Sequence, residues 1–217
     1  DSYSCRLEKG THKAIKRFRE FCYMVSKNNT RTCWVLKCDI RKFFANINHG
    51  ILITIIKEYI SDQDIIKLLE NIIDSFSAGK VDTGLPLGNL TSQLLVNIYM
   101  NKFDQFVKHK LREKFYIRYA DDFCFLVDNT DYLKTQIMRI DMFLKYELKL
   151  TLHPNKISIT TLNSGVDFLG HINFFNYSIL RTKTKKRMLK RVNEKNLMSY
   201  LGLLGHCRGY KLKMRLK

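Results

Sequence analysis

Residues 115–128 read FYIRYADDFCFLVD: Phe115 to Tyr119 and Phe123 to Asp128 are two short runs of aromatic and β-branched residues around Ala120-Asp121-Asp122. Such runs form strands. A span this short between them admits only a tight hairpin turn. The stretch therefore predicts two antiparallel strands with a pair of carboxylates at the tip.

Upstream of the hairpin, Thr91 to Arg112 reads as one long helix, preceded by the Gly-bearing segment Ala78 to Leu90, which interrupts helical pattern. Before that segment, His49 to Tyr59 and Asp62 to Ser77 are helical, and Thr32 to Asp39 is a strand ending on an acid. Thr11 to Lys27 places Ala14, Ile15, Phe18, Phe21, Cys22 and Val25 at helical spacing, with Thr11 as the candidate N-cap.

Downstream, Tyr132 to Leu150 is a helix with Ile137, Ile140, Leu144 and Leu148 on one face, ended by His153-Pro154-Asn155-Lys156. A strand at Lys156 to Thr161 and a strand or hairpin at Val166 to Phe175 follow. From Arg181 the sequence turns strongly basic, with Met188, Leu189 and Val192 as its apolar minority, and reads as a helix beginning a separate C-terminal subdomain cut off at Lys217. The order of elements predicts an α+β fold of the split βαβ, ferredoxin-like kind: an antiparallel sheet with helices on one face. Such a sheet could bring Asp39 beside the hairpin tip.

The 217 residues, 45% hydrophobic, suffice for a real core. Thirty-eight basic residues against 20 acidic give a formal charge of +18, which points to a polyanionic partner, with nucleic acid the first candidate. Cys5, Cys22, Cys33, Cys38, Cys124 and Cys207 contain no CxxC pair and no histidine at zinc-ligand spacing, so they read as reduced, mostly buried thiols. The absence of a membrane-length apolar run or a signal peptide, with free cysteines, gives the expectation of a cytoplasmic protein without membrane contact. Opening on Asp1 rather than Met, the chain reads as a segment whose N-terminal part is missing.

Three acids carry the candidate chemistry. Asp39 closes a strand, and Asp121 with Asp122 occupies the hairpin turn. Each alone has an ordinary reading: a turn favours Asp, and Asp39 can cap the segment after it. Converged, three carboxylates would suit Mg²⁺, which takes oxygen ligands and shares them with substrate phosphates, and two-metal phosphoryl transfer needs ions about 3.5–4 Å apart.

Asp39-Ile40-Arg41-Lys42-Phe43-Phe44 resembles the first palm motif of reverse transcriptases, and Tyr119-Ala120-Asp121-Asp122 is similar to that family's best-known signature. Between them, Gly84-Leu85-Pro86-Leu87-Gly88-Asn89-Leu90-Thr91-Ser92-Gln93 resembles its template-and-nucleotide-binding motif. Downstream, His153-Pro154-Asn155-Lys156 and Phe168-Leu169-Gly170-His171 resemble the two later palm motifs. The resemblance implies a polymerase right hand: partial fingers and entry to the palm at 1–38, palm at 39–180 with inserted fingers helices at about 49–80, and the start of a thumb at 181–217.

It also implies an RNA-directed DNA polymerase acting on an RNA template, a DNA or RNA primer and deoxynucleotides, with two Mg²⁺ ions and Mn²⁺ as a substitute. Asp39, Asp121 and Asp122 would be the catalytic carboxylates and metal ligands, joined by the backbone carbonyl of Ile40. Phe44 would be the steric gate that excludes a 2′-hydroxyl, with Phe43 a core aromatic. Arg6, Lys9, Leu87, Gly88, Gln93 and Lys156 would complete the nucleotide site, Lys156 beside the triphosphate. Phe168, Leu169, Gly170 and His171 would form the primer grip.

Leu87 and Gln93 depart from most of the family, which places Gln and Pro there, and are similar to the version in diversity-generating retroelements; Ser2-Tyr3-Ser4-Cys5-Arg6 and Gly10-Thr11-His12-Lys13-Ala14 resemble the same branch. That branch implies adenine-directed mutagenic cDNA synthesis and a small basic accessory protein. A group II intron or retron-type enzyme is the alternative within the family. A catalytically silent RNA-binding domain with a polymerase fold is the alternative outside enzymes, and the three intact aspartates speak against it.

Overall fold

A computed structural model describes residues 1–77, 79 and 81–216. The predicted break at Ala78 and the terminus at Lys217 lie outside the described residues. Among the described residues eight α-helices and seven strands follow one another: α1 Thr11–Val25, β1 Trp34–Asp39, α2 His49–Lys57, α3 Gln63–Asp74, α4 Leu90–Gln105, β2 Tyr116–Tyr119, β3 Asp122–Val127, α5 Thr130–Glu147, β4 Ser158–Thr161, β5 Val166–Phe168, β6 His171–Asn173, β7 Ser178–Leu180, α6 Thr182–Arg191, α7 Glu194–Gly205 and α8 Tyr210–Leu216.

The main sheet is antiparallel in the order β2-β3-β1-β4, and a second antiparallel sheet runs β5-β6-β7. Side chains alternate across a strand, and the main sheet divides accordingly. Leu36, Cys38, Phe123 and Phe125 pack with Val96, Tyr99, Met100 and Phe103 of α4 and Ile140 and Leu144 of α5. The two helices expected of the ferredoxin-like core therefore share one face of the sheet.

The opposite face is covered as well, because Val35, Ile117, Cys124 and Leu126 alternate with the first set. They pack on Ala14, Phe18, Phe21 and Cys22 of α1 and on Val166 and Phe168 of the second sheet. Cys22, Cys33, Cys38 and Cys124 are buried free thiols, whereas Cys5 is exposed. The C-terminal helices gather a small cluster of their own around Leu180, Met188 and Leu204.

Sequence signals and observed elements part at three places. Gly10, at φ 108°, takes the cap position of α1, and the Thr11 hydroxyl instead donates to the Tyr119 hydroxyl at 3.2 Å. The long helix α4 does not stay α-helical to its end but continues as a π-helical turn at Phe106–Lys110, where Phe106 stacks on Phe143 with centroids 4.1 Å apart. Strand β7 was not anticipated; it is short, and one of its three residues, Ile179, is exposed. Among the described residues no helix is long and apolar enough to cross a membrane.

Gly165, between β4 and β5, has φ 85° and ψ 122°, and a Cβ there would lie 2.7 Å from Ile172 and 2.8 Å from Phe174. That conformation is essentially reserved for glycine. Gly165→Ala is expected to destabilise the fold by on the order of 2–3 kcal/mol through backbone strain and overpacking, read as a lowered urea midpoint with unchanged slope.

Candidate active site

The site starts from a register. Cys38 pairs with Phe123 and Asp39 with Asp122, so the acid that ends β1 and the acid that opens β3 stand directly opposite, on one side of the sheet. Tyr119 pairs with Asp122, leaving Ala120 and Asp121 as a two-residue turn with Ala120 at φ 56°. Two-residue hairpin turns require such positive φ because it matches strand twist. Asp121 is thereby set beside the other two, and its carbonyl accepts from the Ile40 N–H at 3.3 Å.

The chain beyond β1 is held from its other side. The Arg41 N–H donates to the Thr151 carbonyl at 2.9 Å and the His153 N–H to the Asp39 carbonyl at 2.8 Å. That pairing delivers the Pro154–Lys156 turn to Asp39, and the Lys156 Nζ lies 3.0 Å from both carboxylate oxygens. Lys37, two residues before Asp39 and so on the same strand face, reaches Asp122 at 3.3 Å. Sequence reading missed Lys37, although its spacing from Asp39 was the available signal.

Burial pushes the Asp122 carboxyl up to about 6, and the nearby Asp39 and Asp121 charges add to the rise against the pull of Lys37. Asp121 is raised too, first by burial and then by Asp39. The Oδ1 of Asp122 is buried with no hydrogen-bond partner. An orphaned carboxylate oxygen among three acids is a donor set for a hard divalent cation. Among the described residues no three His, Cys, Asp or Glu side chains already stand together as a metal cage. Lys156 contacts Asp39 and Lys37 contacts Asp122, and three carboxylates with one unpartnered oxygen are the donor chemistry that Mg²⁺ or Mn²⁺ takes, so the residues fit those ions.

Phe43 and Phe44 differ in burial: Phe43 is buried, while Phe44 is half-buried and meets it edge-on at 5.4 Å between centroids. The 84–93 motif is tied to this turn, since the Leu85 N–H donates to the Phe44 carbonyl at 2.9 Å and the Gly84 N–H to the Ile47 carbonyl at 2.8 Å. Buried His49 anchors the same loop through Nε2 at 2.7 Å from the Gly84 carbonyl. Leu87 is exposed, Gly88 has φ 85° with open space where a side chain would start, and Gln93 is half-buried in the first turn of α4.

Arg6 and Lys9 are exposed in the loop before α1; the Lys9 ammonium sits 4.6 Å over the Tyr3 ring rather than on an aspartate. In the β5–β6 hairpin, Leu169 and Gly170 form a two-residue turn with φ 53° and 81°. Phe168 is buried against Phe18, with centroids 5.3 Å apart, and the buried His171 ring turns its Nδ1 to the Leu169 carbonyl at 3.2 Å. Only Leu169 and Gly170 of the four therefore stand at the tip.

Residues 2–173 match the family described as reverse transcriptase (RNA-dependent DNA polymerase). Protein YkfC of Escherichia coli K12 is 30% identical over 213 residues, which cover 78% of this chain and 54% of YkfC, so the chain spans about half the length of that relative. The group II intron-encoded protein LtrA of Lactococcus lactis is 32% identical over 120 residues, covering 52% of this chain and 18% of LtrA. Among solved structures, apo telomerase from Candida tropicalis superposes with a TM-score of 0.64 at 15% identity over 93% of this chain and 40% of the telomerase chain, a likeness of fold.

The raised carboxyl of Asp122 has a stability consequence with a definite sign. A folded-state value of about 6 against the ordinary 3.8 means that the folded chain keeps a proton the unfolded chain has released. That stabilisation is complete below about pH 4 and is lost as pH rises through about 6. Asp122→Asn should stabilise the metal-free chain at pH 7 by about 1–3 kcal/mol, with the gain disappearing at pH 4; urea titrations at the two pH values test this, and a gain equal at both would refute the assignment.

Proposed function

The chain belongs to the reverse transcriptase family, and from that membership and its aspartate site we infer that it copies an RNA template into DNA by phosphoryl transfer. The observation that carries the inference is the β1–β3 register setting Asp39 opposite Asp122 with Asp121 in the adjoining turn. We take 1–38 as partial fingers, 39–180 as palm with the fingers helices near 49–80 inserted, and 181–217 as the start of the thumb.

Asp39, Asp121, Asp122 and the Ile40 carbonyl would hold two Mg²⁺ ions, which when bound activate a primer 3′-hydroxyl and steady a leaving oxygen. The carboxylates confine that chemistry to the end of the sheet. Lys156, exposed and on a short turn, can leave Asp39 and place its Nζ proton against the leaving pyrophosphate. Phe44, five residues after Asp39 in the chain and with part of its ring uncovered, would set a bulky edge under the sugar that leaves no room for a 2′-hydroxyl. The Leu169–Gly170 tip, beside Arg181, Lys183 and Arg187, is suited to a primer strand's backbone. RNA template, primer and deoxynucleotides are the partners this reading requires, and the +18 charge supports a polyanion.

Within the family, Leu87 and Gln93, standing where most members have Gln and Pro, support the diversity-generating retroelement branch, with a small basic accessory protein as partner. An apolar side chain at 87 removes a hydrogen-bonding handle near the nascent pair, and discrimination resting on such a contact weakens. The likeness to LtrA, named for a group II intron, supports the other reading. Fidelity separates them.

In primer extension on an adenine-containing RNA template with deoxynucleotides and Mg²⁺, Asp121→Ala should reduce synthesis by at least about 10²–10³-fold; equal synthesis would leave only a binding role. Phe44→Ala should raise the efficiency of ribonucleotide incorporation by about tenfold or more. Errors concentrated at template adenines in the wild type, and relieved by Leu87→Gln, are the expected mark of the retroelement branch. Faithful wild-type copying would assign the chain to the intron or retron type.

A further inference from the structure

Arg118 is the largest of the fully buried side chains, at 1% exposure, and lies in β2 one residue before Tyr119-Ala120-Asp121-Asp122. Its Nε donates to Oδ1 of Asp104 at 2.8 Å and its Nη2 to Oδ2 at 2.6 Å, a two-pronged grip on the last turn of α4. The Tyr116 hydroxyl adds a hydrogen bond to Oδ1 of Asp104 at 2.7 Å. A third guanidinium donor, Nη1, is directed elsewhere: it meets the carbonyl of Ala120 at 3.0 Å.

That carbonyl belongs to the planar peptide whose nitrogen is Asp121's own. Fixing the oxygen fixes the plane, and with it the direction in which the Asp121 Cα leaves the turn. The turn needs such a hold, because Ala120 sits at φ 56°, a conformation disfavoured for any residue with a Cβ. The sheet side is held independently: the Arg118 N–H donates to the Asp1 carbonyl and its carbonyl accepts from the Tyr3 N–H, both at 3.0 Å. We propose that Arg118, oriented by Asp104, is a positioning residue that braces the Ala120–Asp121 peptide and so sets the Asp121 carboxylate against Asp39 and Asp122.

The geometry demands arginine. The guanidinium is a rigid fork whose separate donors reach two acceptors in different directions. A lysine ammonium, a single point on a flexible stem, can neutralise Asp104 but cannot also reach Ala120 in a fixed geometry. Charge balance alone would tolerate the exchange; positioning would not. Tyr116 gives the converse separation, since its hydroxyl touches Asp104 and not the turn.

The inference rests on the polymerase reading for its catalytic consequence, so the test includes readouts that do not need catalysis. In the full-length protein, Arg118→Lys should lower kcat for primer extension by about 10–100-fold, the scale on which small misplacements act, with KM for the deoxynucleotide changed less than about threefold. Amide exchange at Ala120, Asp121 and Asp122 should accelerate, and Mn²⁺ alone should bind several-fold more weakly. Tyr116→Phe should lower Tm while leaving kcat, turn exchange and Mn²⁺ affinity as in the wild type.

A lowered Tm for Arg118→Lys with kcat, exchange and Mn²⁺ affinity unchanged would overturn the proposal. If Arg118→Lys does not fold, Asp104→Glu, which keeps the compensating charge but shifts the guanidinium it orients, is read by the same criteria. Should the wild type extend no primer, the polymerase reading fails, and the exchange and Mn²⁺ measurements decide the positioning role by themselves.

Discussion

Two carboxylates facing each other across an antiparallel pair are an uncomfortable thing to fold. Residues directly opposite stand roughly 4.5–5.5 Å apart at Cβ, and two unit charges 5 Å apart repel by about 3 kcal/mol at an effective dielectric near 20. The β1–β3 register imposes that arrangement on Asp39 and Asp122, and the hairpin adds Asp121. The repulsion is met locally by Lys37 on Asp122 and Lys156 on Asp39. Below about pH 6 it is also relieved by proton uptake, for burial raises the Asp122 carboxyl to about 6.

The register is strongly specified because both faces of the sheet are buried. A slip of one residue would turn Leu36 and Cys38 away from α4 and α5, and drive Lys37 and Asp39 into that apolar layer. Two hydrophobic layers thus enforce a contact that the acids themselves oppose. Arg118 belongs to the same constraint, since its buried charge is tolerable only while Asp104 accompanies it. Losing either partner leaves an uncompensated ion in the core between α4 and β2.

This division explains what the sequence could disclose. The hairpin, the helices α1 to α5 and the inward side chains were legible because local periodicity and final environment agree. Asp39 lay within reach for the same reason, a strand ending on an acid. Arg118 was illegible: nothing in a β-type run says that its charged member turns inward, and its partner Asp104 sits on a helix whose placement only the packed sheet decides. The direction of Phe168 and His171 was not legible either, because a two-residue turn sends the flanking pair to one face, and here that face is the core shared with Phe18. The π-helical turn at Phe106 is set by stacking on Phe143, a contact between helices.

Lys156 shows how the charge arrangement and the proposed chemistry constrain each other. Its ammonium contacts both oxygens of Asp39, yet it is about half exposed; the His153 N–H ties the turn to Asp39, and the Lys156 N–H donates within the turn to the His153 carbonyl at 3.0 Å. A contact with that much solvent is weak, so a divalent cation competing for Asp39 meets little resistance from it. On the proposed reading, displacement would free a positive charge where a triphosphate loses pyrophosphate. Lys37 differs in its burial: held within the sheet face against Asp122, it cannot swing away and acts as a fixed counter-charge. On the proposed reading, one site would carry a stationary lysine, which makes three acids foldable, and an exposed one, which the same acids would release if a metal replaced it.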